Sequence, residues 1–444
     1  MDVLDSWVVA CLVPLAVAAV LSGLDDLIPD LAMAVAGLRR RVPAVRPPEG
    51  PERRIALFVP LWQEHNVIES MLRHNLAEIR YTNYEVFVGA YPNDPLTLEV
   101  VRGIESSLDK VHLAIVPHDG PTSKADCLNW IYQAMLAQEE ACGAGFEVIV
   151  THDAEDLIHP DSLRWINHYM QEYDMVQVPV LPLPTPGRRL THGVYCDEFA
   201  EFQTKDVPSR TLLGGFLPSN GVGTGYKRVA LEALAAAHSN QVFDPTCLTE
   251  DYDCGIRLYR LGFRQFFVPV RFLDGLPMAT REYFPQRFRQ AVRQRTRWVT
   301  GIALQGWERH GWRGNPASLY WFWRDRKGLL GNPLSLLGNL ISIYCLASWT
   351  AAAATGRAWT LPAAGIDDTA RWWLGAALVS QGWRMAVRCA CAARIYGWQH
   401  AMGAPARLVW ANWLNAIATV SAIGRYTRAR LARRAHVWLK TEHI

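Results

Sequence analysis

The sequence predicts an α/β fold in which a mostly parallel sheet carries helices on both faces, with membrane-associated segments around it. Three observations predict it. Short apolar runs alternate with helical stretches from Ile55 onward, as in chains of β-α-β units. Polar residues collect where the predicted strands end. Half of the 444 residues are hydrophobic and 18 are Trp, and the apolar excess lies at the two ends of the chain.

Composition argues against several classes of function. The net charge of +3 argues neither for nor against a nucleic-acid partner. The central part has no basic stripe with interleaved aromatics, so we expect no such partner. The nine cysteines are scattered without a C-x-x-C pair. This spacing indicates neither a disulfide framework nor a zinc site, and it suits a reducing compartment.

The first apolar segment, Trp7 to Leu24, is close to the shortest length that spans a bilayer. Acids precede it and the Arg39-Arg40-Arg41 run follows it, whereas a signal peptide carries its positive charge in front. We therefore expect a retained anchor with its amino terminus outside. The Pro- and Arg-rich stretch from Arg41 to Arg54 is predicted to be an extended linker.

Four predicted strands, joined by three predicted helices, follow the linker. In open sheets of this kind, ligands bind outside the carboxyl ends of the strands, which is where the polar residues lie. The predicted strands are Ile55–Pro60, Tyr84–Gly89, Val111–Val116 and Phe146–Asp153, and the predicted helices are Glu64–Ile79, Leu96–Leu108 and Lys124–Gln138.

An acidic cluster ends the fourth strand, where Asp153, Glu155 and Asp156 place three carboxylates within four residues. Carboxylates this close repel one another and raise one another's pKa unless a cation or a set of donors compensates them. The cluster is therefore a candidate site for a divalent cation. The alternative is a solvated acidic turn before the helix that begins near Asp161.

The second half of the soluble region carries two further candidate segments. After a predicted helix, Tyr195–Leu212, the glycine-rich turn Gly214–Gly225 permits either close approach to a ligand or simply a tight turn. Glu250 and Asp251 begin another predicted helix, where an acid can serve only as a first-turn stabiliser. The stretch Phe284–Trp312 is basic and amphipathic, which by itself is typical of a helix at a membrane surface.

Three apolar stretches follow the soluble region: Leu329–Trp349, Trp372–Cys391 and Ala404–Ile423. If the domain and the basic tail from Arg425 both lie inside, the chain crosses an even number of times after the domain. We expect Ala404–Ile423 to lie in the interface, because Asn412, Asn415 and Thr419 give it a polar face. Reporter fusions at Gly356 and Leu439 should then read external and internal.

Arg384, in the second stretch, costs about 2.5–3.5 kcal/mol if it lies at the bilayer centre. The tail arginines are expected to face anionic lipid, without binding a cyclic dinucleotide.

Six motifs occur in one order over about 240 residues and resemble family 2 glycosyltransferases. The last of them, Q-x-x-R-W, is similar to that of processive membrane enzymes such as cellulose and hyaluronan synthases. The Tyr-Pro-Asn-Asp form, the Asp-Ala-Glu-Asp form and the segment Ser219-Asn-Gly-Val-Gly-Thr-Gly225 look most like the phage adsorption protein B type of inner-membrane glycosyltransferase. The motifs are Val59-Pro-Leu-Trp-Gln-Glu64, Asn93-Asp94, Ser123-Lys-Ala-Asp-Cys-Leu-Asn129, Asp153-Ala-Glu-Asp156, Leu248-Thr-Glu-Asp251 and Gln294-Arg-Thr-Arg-Trp298.

The resemblance implies a GT-A fold with a mixed, mostly parallel sheet, and it assigns roles to the motif residues. Asp251 is implied to be the general base, and a Mg²⁺ or Mn²⁺ ion is implied at the acidic cluster. The family usually presents Asp-x-Asp; here the third position is Glu155, so either Glu155 or Asp156 is expected as the second ligand of Asp153. The implied donor-binding residues are Glu64, Asp94, Lys124 and Asp153, and the implied acceptor- and diphosphate-binding residues are Glu250, Gln294, Arg297 and Trp298.

Two of these residues have simpler alternatives. Asp94 lies in an Asn-Asp-Pro turn and Lys124 is a first-turn lysine of a predicted helix.

The predicted reaction is an inverting transfer of a sugar from a nucleotide-sugar, expected to be a UDP-sugar, to a growing polysaccharide at a bacterial inner membrane. Inversion is expected because the motifs hold a single base and no candidate covalent nucleophile. The expected partners are the nucleotide-sugar, the polysaccharide, membrane lipid and an export partner in the periplasm or outer membrane. The alternative is a non-catalytic, nucleotide-binding membrane scaffold or receptor component. The predicted units are an anchor and linker (1–51), a cytoplasmic catalytic domain (52–280), amphipathic interface helices (281–328) and a multi-pass membrane region with a basic tail (329–444).

Overall fold

The computed structural model describes residues 3–39, 49–361 and 366–432. Most of the predicted linker after Arg41, and the end of the basic tail with the fusion site Leu439, lie outside the described residues. The first described element is helix α1 (Val3–Arg39), which contains the predicted anchor.

A seven-stranded mixed sheet forms the centre of the soluble region, with the strand order β3-β2-β1-β4-β6-β5-β7. Four of its six neighbouring pairs are parallel, and β6 is antiparallel to both of its neighbours. The predicted α/β class with a mixed, mostly parallel sheet is therefore confirmed. The strands are β1 (Ile55–Pro60), β2 (Tyr84–Ala90), β3 (Val111–Ile115), β4 (Val148–Thr151), β5 (Met175–Gln177), β6 (Thr224–Lys227) and β7 (Gln265–Phe267), and a separate hairpin pairs β8 (Phe272–Leu273) with β9 (Leu276–Pro277).

Each helix predicted in the sheet domain is present, and two starts are displaced by several residues. The helix predicted from Tyr195 begins at Leu190. The helix predicted from Glu64 begins only at Ile68, after a turn in which Val67 N and Ile68 N both donate to Glu64 O. The helices are α2 (Ile68–Glu78), α3 (Pro95–Glu105), α4 (Lys124–Cys142), α5 (Ser162–Tyr169), α6 (Leu190–Glu201), α7 (Val207–Leu212), α8 (Arg228–Ala236) and α9 (Glu250–Arg260), and a π-helical segment (Phe202–Asp206) joins α6 to α7.

Two apolar layers cover the sheet, one on each face. Strand β1 shows the alternation, because Ile55 and Leu57 point into one layer while Ala56 and Phe58 point into the other. Helices α2, α3 and α5 pack on the first face, and α4, α8 and α9 contribute to the second. With both faces covered, the carboxyl ends of β1, β2 and β4 are left to border a cavity.

The basic stretch after the sheet domain forms α10 (Phe288–Trp298), a π-helical segment (Val299–Gln305) and α11 (Gly306–His310). One of its arginines is not on a surface. Arg295 is buried, and its guanidinium donates to Glu198 of α6 and to Asn415, each at 2.6 Å. This helix is therefore packed between other helices as well as amphipathic.

The remaining helices are α12 (Pro316–Arg326), α13 (Gly328–Thr355), α14 (Asp368–Tyr396), α15 (Trp398–Ala401) and α16 (Ala404–Leu431). Among the described residues, two helical stretches are long and apolar enough to cross a membrane, Val3–Gly37 and Pro316–Thr355. They coincide with the predicted anchor and with the first of the three predicted apolar stretches.

The polar face of α16 contacts protein, which corrects the reason given for placing this helix in the interface. The Asn412 amide donates to Asn339 of α13 at 3.1 Å, and the Asn332 amide of α13 donates to Thr419 at 3.0 Å. Asn415 donates to Glu198 at 3.0 Å. Polar side chains at helical spacing therefore hold α16 against α13 and α6, and the depth of α16 in a bilayer stays a prediction.

An ion-pair network joins α1 to α12, α13 and α14. The Asp26 carboxylate lies 2.7 Å from Arg384 Nε, 2.7 Å from Lys327 Nζ and 3.0 Å from Arg324 Nη1. Asp25 pairs with Arg324 and Lys327 as well. Arg384 is thus paired, and the cost expected for a lone arginine at the bilayer centre does not describe it.

Candidate active site

A cavity of about 630 Å³ lies at the carboxyl ends of β1, β2 and β4 and is closed from the other side by α9 and α10. Its size is typical of small-molecule sites. Nine of the residues singled out from the sequence line it: Glu64, Lys124, Asp153, Glu155, Glu250, Asp251, Gln294, Arg297 and Trp298. Asp94 and Asp156 are not among its lining residues.

Lys124 lines the cavity from the first turn of α4. The Ser123 side chain caps that helix by accepting a hydrogen bond from Asp126 N. This cap fixes the start of the helix and therefore the position of Lys124. Its ammonium is 2.5 Å from Asp153 Oδ1 and donates to Gly221 O at 3.3 Å. Burial by itself lowers the pKa of Lys124, but Asp153, Glu250 and Asp251 outweigh it and raise that pKa. The lysine therefore stays charged among three carboxylates.

Asp156 does not line the cavity. Its carboxylate instead binds the backbone of the acidic loop, the segment Asp153–Asp156 that follows β4. Its Oδ2 accepts from Asp153 N at 2.9 Å and lies 2.8 Å from His152 Nδ1, and both side chains are fully buried. This orientation differs from the expectation that Asp156 replaces Glu155 as a metal ligand. The carboxylate instead fixes the backbone from which Asp153 projects.

Glu155 faces the cavity together with Glu282, a residue that the sequence reasoning missed. Glu282 is 8% exposed and is placed there by the backbone pairing of Leu157 with Arg281. Burial, followed by repulsion from the other carboxylates, raises the pKa of both groups well above the usual range. In the sequence, the only signal for Glu282 was its position as a single acid shortly before the arginine-rich helix α10.

Glu250 and Asp251 occupy the first turn of α9 and are held close to Lys124. Thr249 precedes the helix without forming a side-chain cap, while Asp251 Oδ1 accepts from Tyr252 N at 2.8 Å. Burial, and then repulsion by Asp251, raises the pKa of Glu250 to about 7. Burial also raises the pKa of Asp251, and Lys124 opposes that rise. The pair therefore holds fewer negative charges than two ordinary carboxylates.

The raised pKa of Glu250 predicts a pH dependence of stability. Between its ordinary value of 4.5 and about 7, the folded ligand-free protein keeps a proton on Glu250 that the unfolded chain releases. The free energy of unfolding should therefore fall as the pH rises through this window, by up to about 3 kcal/mol from this group.

Thermal unfolding in detergent at pH 5 and pH 7.5 measures this effect. Glu250→Gln should show a smaller loss of melting temperature between the two pH values than the wild type. An equal loss in both proteins contradicts the assignment.

Gln294, Arg297 and Trp298 of α10 form the wall opposite the acidic loop. Gln294 is 4% exposed, and its side-chain oxygen has no hydrogen-bond partner in the described structure. Trp298 stands edge-on to Tyr195, with ring centroids 6.0 Å apart, and tilts against Phe199 at 6.3 Å. A buried acceptor atom and a braced indole ring are suited to binding a polar ligand with an apolar face, such as a sugar.

Replacing Trp298 by Ala should impair transfer to an acceptor while leaving donor binding intact. The reason is that the indole ring is expected to support the acceptor sugar, whereas the charged groups expected to bind the donor diphosphate and its cation, Lys124 and Asp153, are untouched by this change. UDP affinity by calorimetry and transfer activity, compared for the variant and the wild type, measure the two effects. If Trp298→Ala weakens UDP binding and leaves transfer to the acceptor unchanged, the assignment of Trp298 to the acceptor is wrong.

Both carboxylate oxygens of Asp94 accept hydrogen bonds from backbone N–H groups nearby. Its Oδ2 accepts from Gln63 N at 2.6 Å and its Oδ1 accepts from Thr97 N, which caps α3. This geometry supports the simpler alternative of a turn and cap residue over direct contact with the donor base. The nearby cavity wall is aromatic instead, because Trp62 and Tyr91 meet at 5.4 Å in an edge-to-face pair.

The carboxylates of the cavity suit a divalent cation whose remaining coordination positions are filled by a bound ligand. Among the described residues, no three His, Cys, Asp or Glu side chains are arranged to hold a metal ion by themselves. Asp153 and Glu155 nevertheless face one cavity, and the raised pKa of Glu155 reflects burial and repulsion that a cation would relieve. Mg²⁺ is commonly held by one or two carboxylates and by substrate phosphates, and Mn²⁺ accepts the same ligands.

Comparisons with known proteins place this geometry in context. A family model described as "Glycosyltransferase like family 2" matches residues 51–301. The whole chain is 34% identical to bacteriophage adsorption protein B of Escherichia coli K12 and to bacteriophage N4 adsorption protein B of E. coli O157:H7. The chain spans 63% of the length of each relative.

One solved structure is similar over most of the chain. A mannosyltransferase from Pyrobaculum calidifontis, in complex with GDP-Man and Mn²⁺, matches with a TM-score of 0.50 and 19% identity. The match covers 90% of this chain and 99% of the mannosyltransferase. At that identity the likeness concerns the fold.

Proposed function

The chain belongs to glycosyltransferase family 2, and from this premise we propose that it moves a sugar, with inversion, from a nucleotide-sugar to a growing polysaccharide. The observation that carries the proposal is the position of Lys124. One ammonium contacts Asp153 at 2.5 Å and lies close enough to Glu250 and Asp251 to be stabilised by both. A cation for donor phosphates and a carboxylate for an acceptor hydroxyl therefore share one cavity.

In the proposed reaction each residue acts at a stated place. Lys124 neutralises charge on the donor diphosphate, helped by the positive amino-terminal end of α4. Asp153 and Glu155 would hold a divalent ion, which when bound supplies Lewis-acid stabilisation of the leaving diphosphate. Asp251 accepts the proton of the acceptor hydroxyl as that oxygen attacks the anomeric carbon. Trp298 supports the acceptor sugar, and Gln294 and Arg297 face the diphosphate.

The proposed setting is a bacterial inner membrane, with the sheet domain on the cytoplasmic side where nucleotide-sugars are made. Two candidate spanning helices support membrane association. The ion pairs of Asp26 with Arg324 and Arg384 tie α1 to the helices next to the domain. An export partner on the far side of the membrane completes the proposal.

Nucleotide release from a panel of donors tests the function. Membranes containing the protein are incubated with Mg²⁺ or Mn²⁺ and with UDP-hexoses, UDP-N-acetylhexosamines or GDP-mannose, the donor bound by the similar mannosyltransferase. We expect release from one UDP-sugar, and none in membranes that lack the protein. Binding of UDP without release from any donor would support the non-catalytic scaffold instead.

A further inference from the structure

Gly221 lies beside both Lys124 and Asp251. Lys124 Nζ donates to Gly221 O at 3.3 Å. A Cβ atom built on Gly221 would lie 2.7 Å from Asp251 Oδ2 and 3.3 Å from Lys124 Nζ. The first distance is shorter than real Cβ atoms tolerate, so a side chain here displaces the carboxylate or the loop. Gly221 also has a φ of +78°, a conformation that favours glycine.

The loop that carries Gly221 is fixed on both sides and has little freedom to yield. Gly223 N donates to Thr151 O of β4 at 2.8 Å, and Val178 N donates to Gly223 O at 2.9 Å. The buried Gln177 side chain accepts from Asn220 N at 2.8 Å and donates to Val222 O at 2.9 Å. A buried, satisfied network of this kind resists local movement.

The helix that carries Asp251 is also fixed near its start. The Tyr252 hydroxyl donates to Asp325 at 2.8 Å, and Asp253 lies 3.0 Å from Arg309 Nε. Since neither the loop nor the helix is free to move, a Cβ at position 221 would act mainly on the Asp251 carboxylate. The same Cβ has more room beside Lys124, whose long side chain adjusts more easily.

We propose that Gly221 is a positioning residue: the absence of its side chain lets the acceptor-activating carboxylate of Asp251 and the donor-binding ammonium of Lys124 converge on one fixed point of backbone. The inference rests on the proposed function for the roles of these two groups. The distance between the base and the donor-binding ammonium is then set by the loop between α7 and β6, which contributes no side chain at position 221.

Gly214 offers a matched control for the test. It has a φ of +70°, and a Cβ on it would meet nothing within 4 Å. Gly221→Ala and Gly214→Ala therefore carry similar backbone penalties, and only the first crowds the carboxylate. We expect Gly221→Ala to lower transfer turnover about 10²-fold, the effect typical of a small misplacement of a reacting group. Its UDP affinity should stay close to that of the wild type, and Gly214→Ala should transfer at close to the wild-type rate.

Thermal unfolding provides a second readout that does not depend on turnover. Gly221→Ala should lower the melting temperature more than Gly214→Ala does. Adding Asp251→Ala should recover part of that loss, because the crowded oxygen is removed. If Gly221→Ala does not fold, the double variant is expected to fold, and its failure counts against the proposal.

The outcomes separate this inference from the proposed function. Wild-type turnover in Gly221→Ala, or additive losses of melting temperature in the double variant, overturns the role of Gly221. If the wild type releases no nucleotide from any donor, the proposed function fails, and the unfolding cycle still decides whether Gly221 positions Asp251.

Discussion

Replacing Asp251 by Asn is expected to reduce sugar transfer by about 10²–10⁴-fold, the usual contribution of a general base. Asparagine keeps the size of the side chain and one acceptor oxygen, so Oδ1 still accepts from Tyr252 N. What is lost is the ability to take a proton from the acceptor hydroxyl. UDP affinity should barely change, because Lys124 keeps Asp153 as its partner at 2.5 Å. Steady-state transfer and UDP calorimetry, both with Mn²⁺, measure the two quantities.

A matched control for this variant is Asp109→Asn, the same chemical change at an exposed aspartate in the turn before β3. It should keep wild-type transfer and binding. The melting temperatures of both variants show whether any loss is one of folding. Transfer by Asp251→Asn at near the wild-type rate means that another group accepts the proton, and Glu250 is then the next residue to replace.

Replacing Asp153 by Ala is expected to remove most metal-dependent donor binding. Loss of a residue that only supports a metal ligand typically costs about 10–100-fold in metal affinity, and loss of a direct ligand should cost at least as much. Two further effects act in the same direction. Lys124 loses the carboxylate that places it, and Glu155 and Glu282 remain as an incomplete donor set.

Calorimetric titration of UDP into protein with Mn²⁺, and again with excess chelator, tests this prediction. The wild type should bind more tightly with the ion, and Asp153→Ala should lose that difference. Asp109→Ala serves as the control and should bind as the wild type does. If UDP binding by Asp153→Ala depends on Mn²⁺ as strongly as in the wild type, Asp153 is not a metal ligand. Glu155 and Glu282 are then the next carboxylates to replace.

The two predictions are distinguishable because the residues lie on different elements. Asp153 follows β4 and is held by the buried Asp156, whereas Asp251 begins α9. A variant of the first should fail at binding, and a variant of the second should bind and then fail at transfer. A non-catalytic scaffold predicts the first result and has no reason to show the second.

Much of the fold was accessible from sequence because its signals are local. A continuous apolar run marks β1, and apolar length marks α1 and α13. Motif residues were found at the carboxyl ends of strands because strand direction and turn chemistry place them there. The acidic cluster after β4 indicated Asp153, and the family resemblance indicated Lys124 and Asp251; the structure brings all three to one cavity.

Orientation could not be obtained in the same way, because it depends on partners that are distant in the sequence. Asp156 turns inward to His152, and Asp94 turns toward Gln63, although each stands in a motif beside residues that face the cavity. Glu282 enters the site through the pairing of Leu157 with Arg281, for which its own neighbours carry no pattern. The polar face of α16 showed that polar contacts were needed and did not show with which helix.

The sequence by itself determined the family motifs, the first four strands with the helices between them, and the identity of the charged groups, since these follow from residue type and spacing along the chain. Only the tertiary structure decided which carboxylates face the cavity and how closely Asp251 and Lys124 approach Gly221. The physical reason is that a carboxylate takes the nearest available donors, and in a folded chain those donors come from other strands and helices.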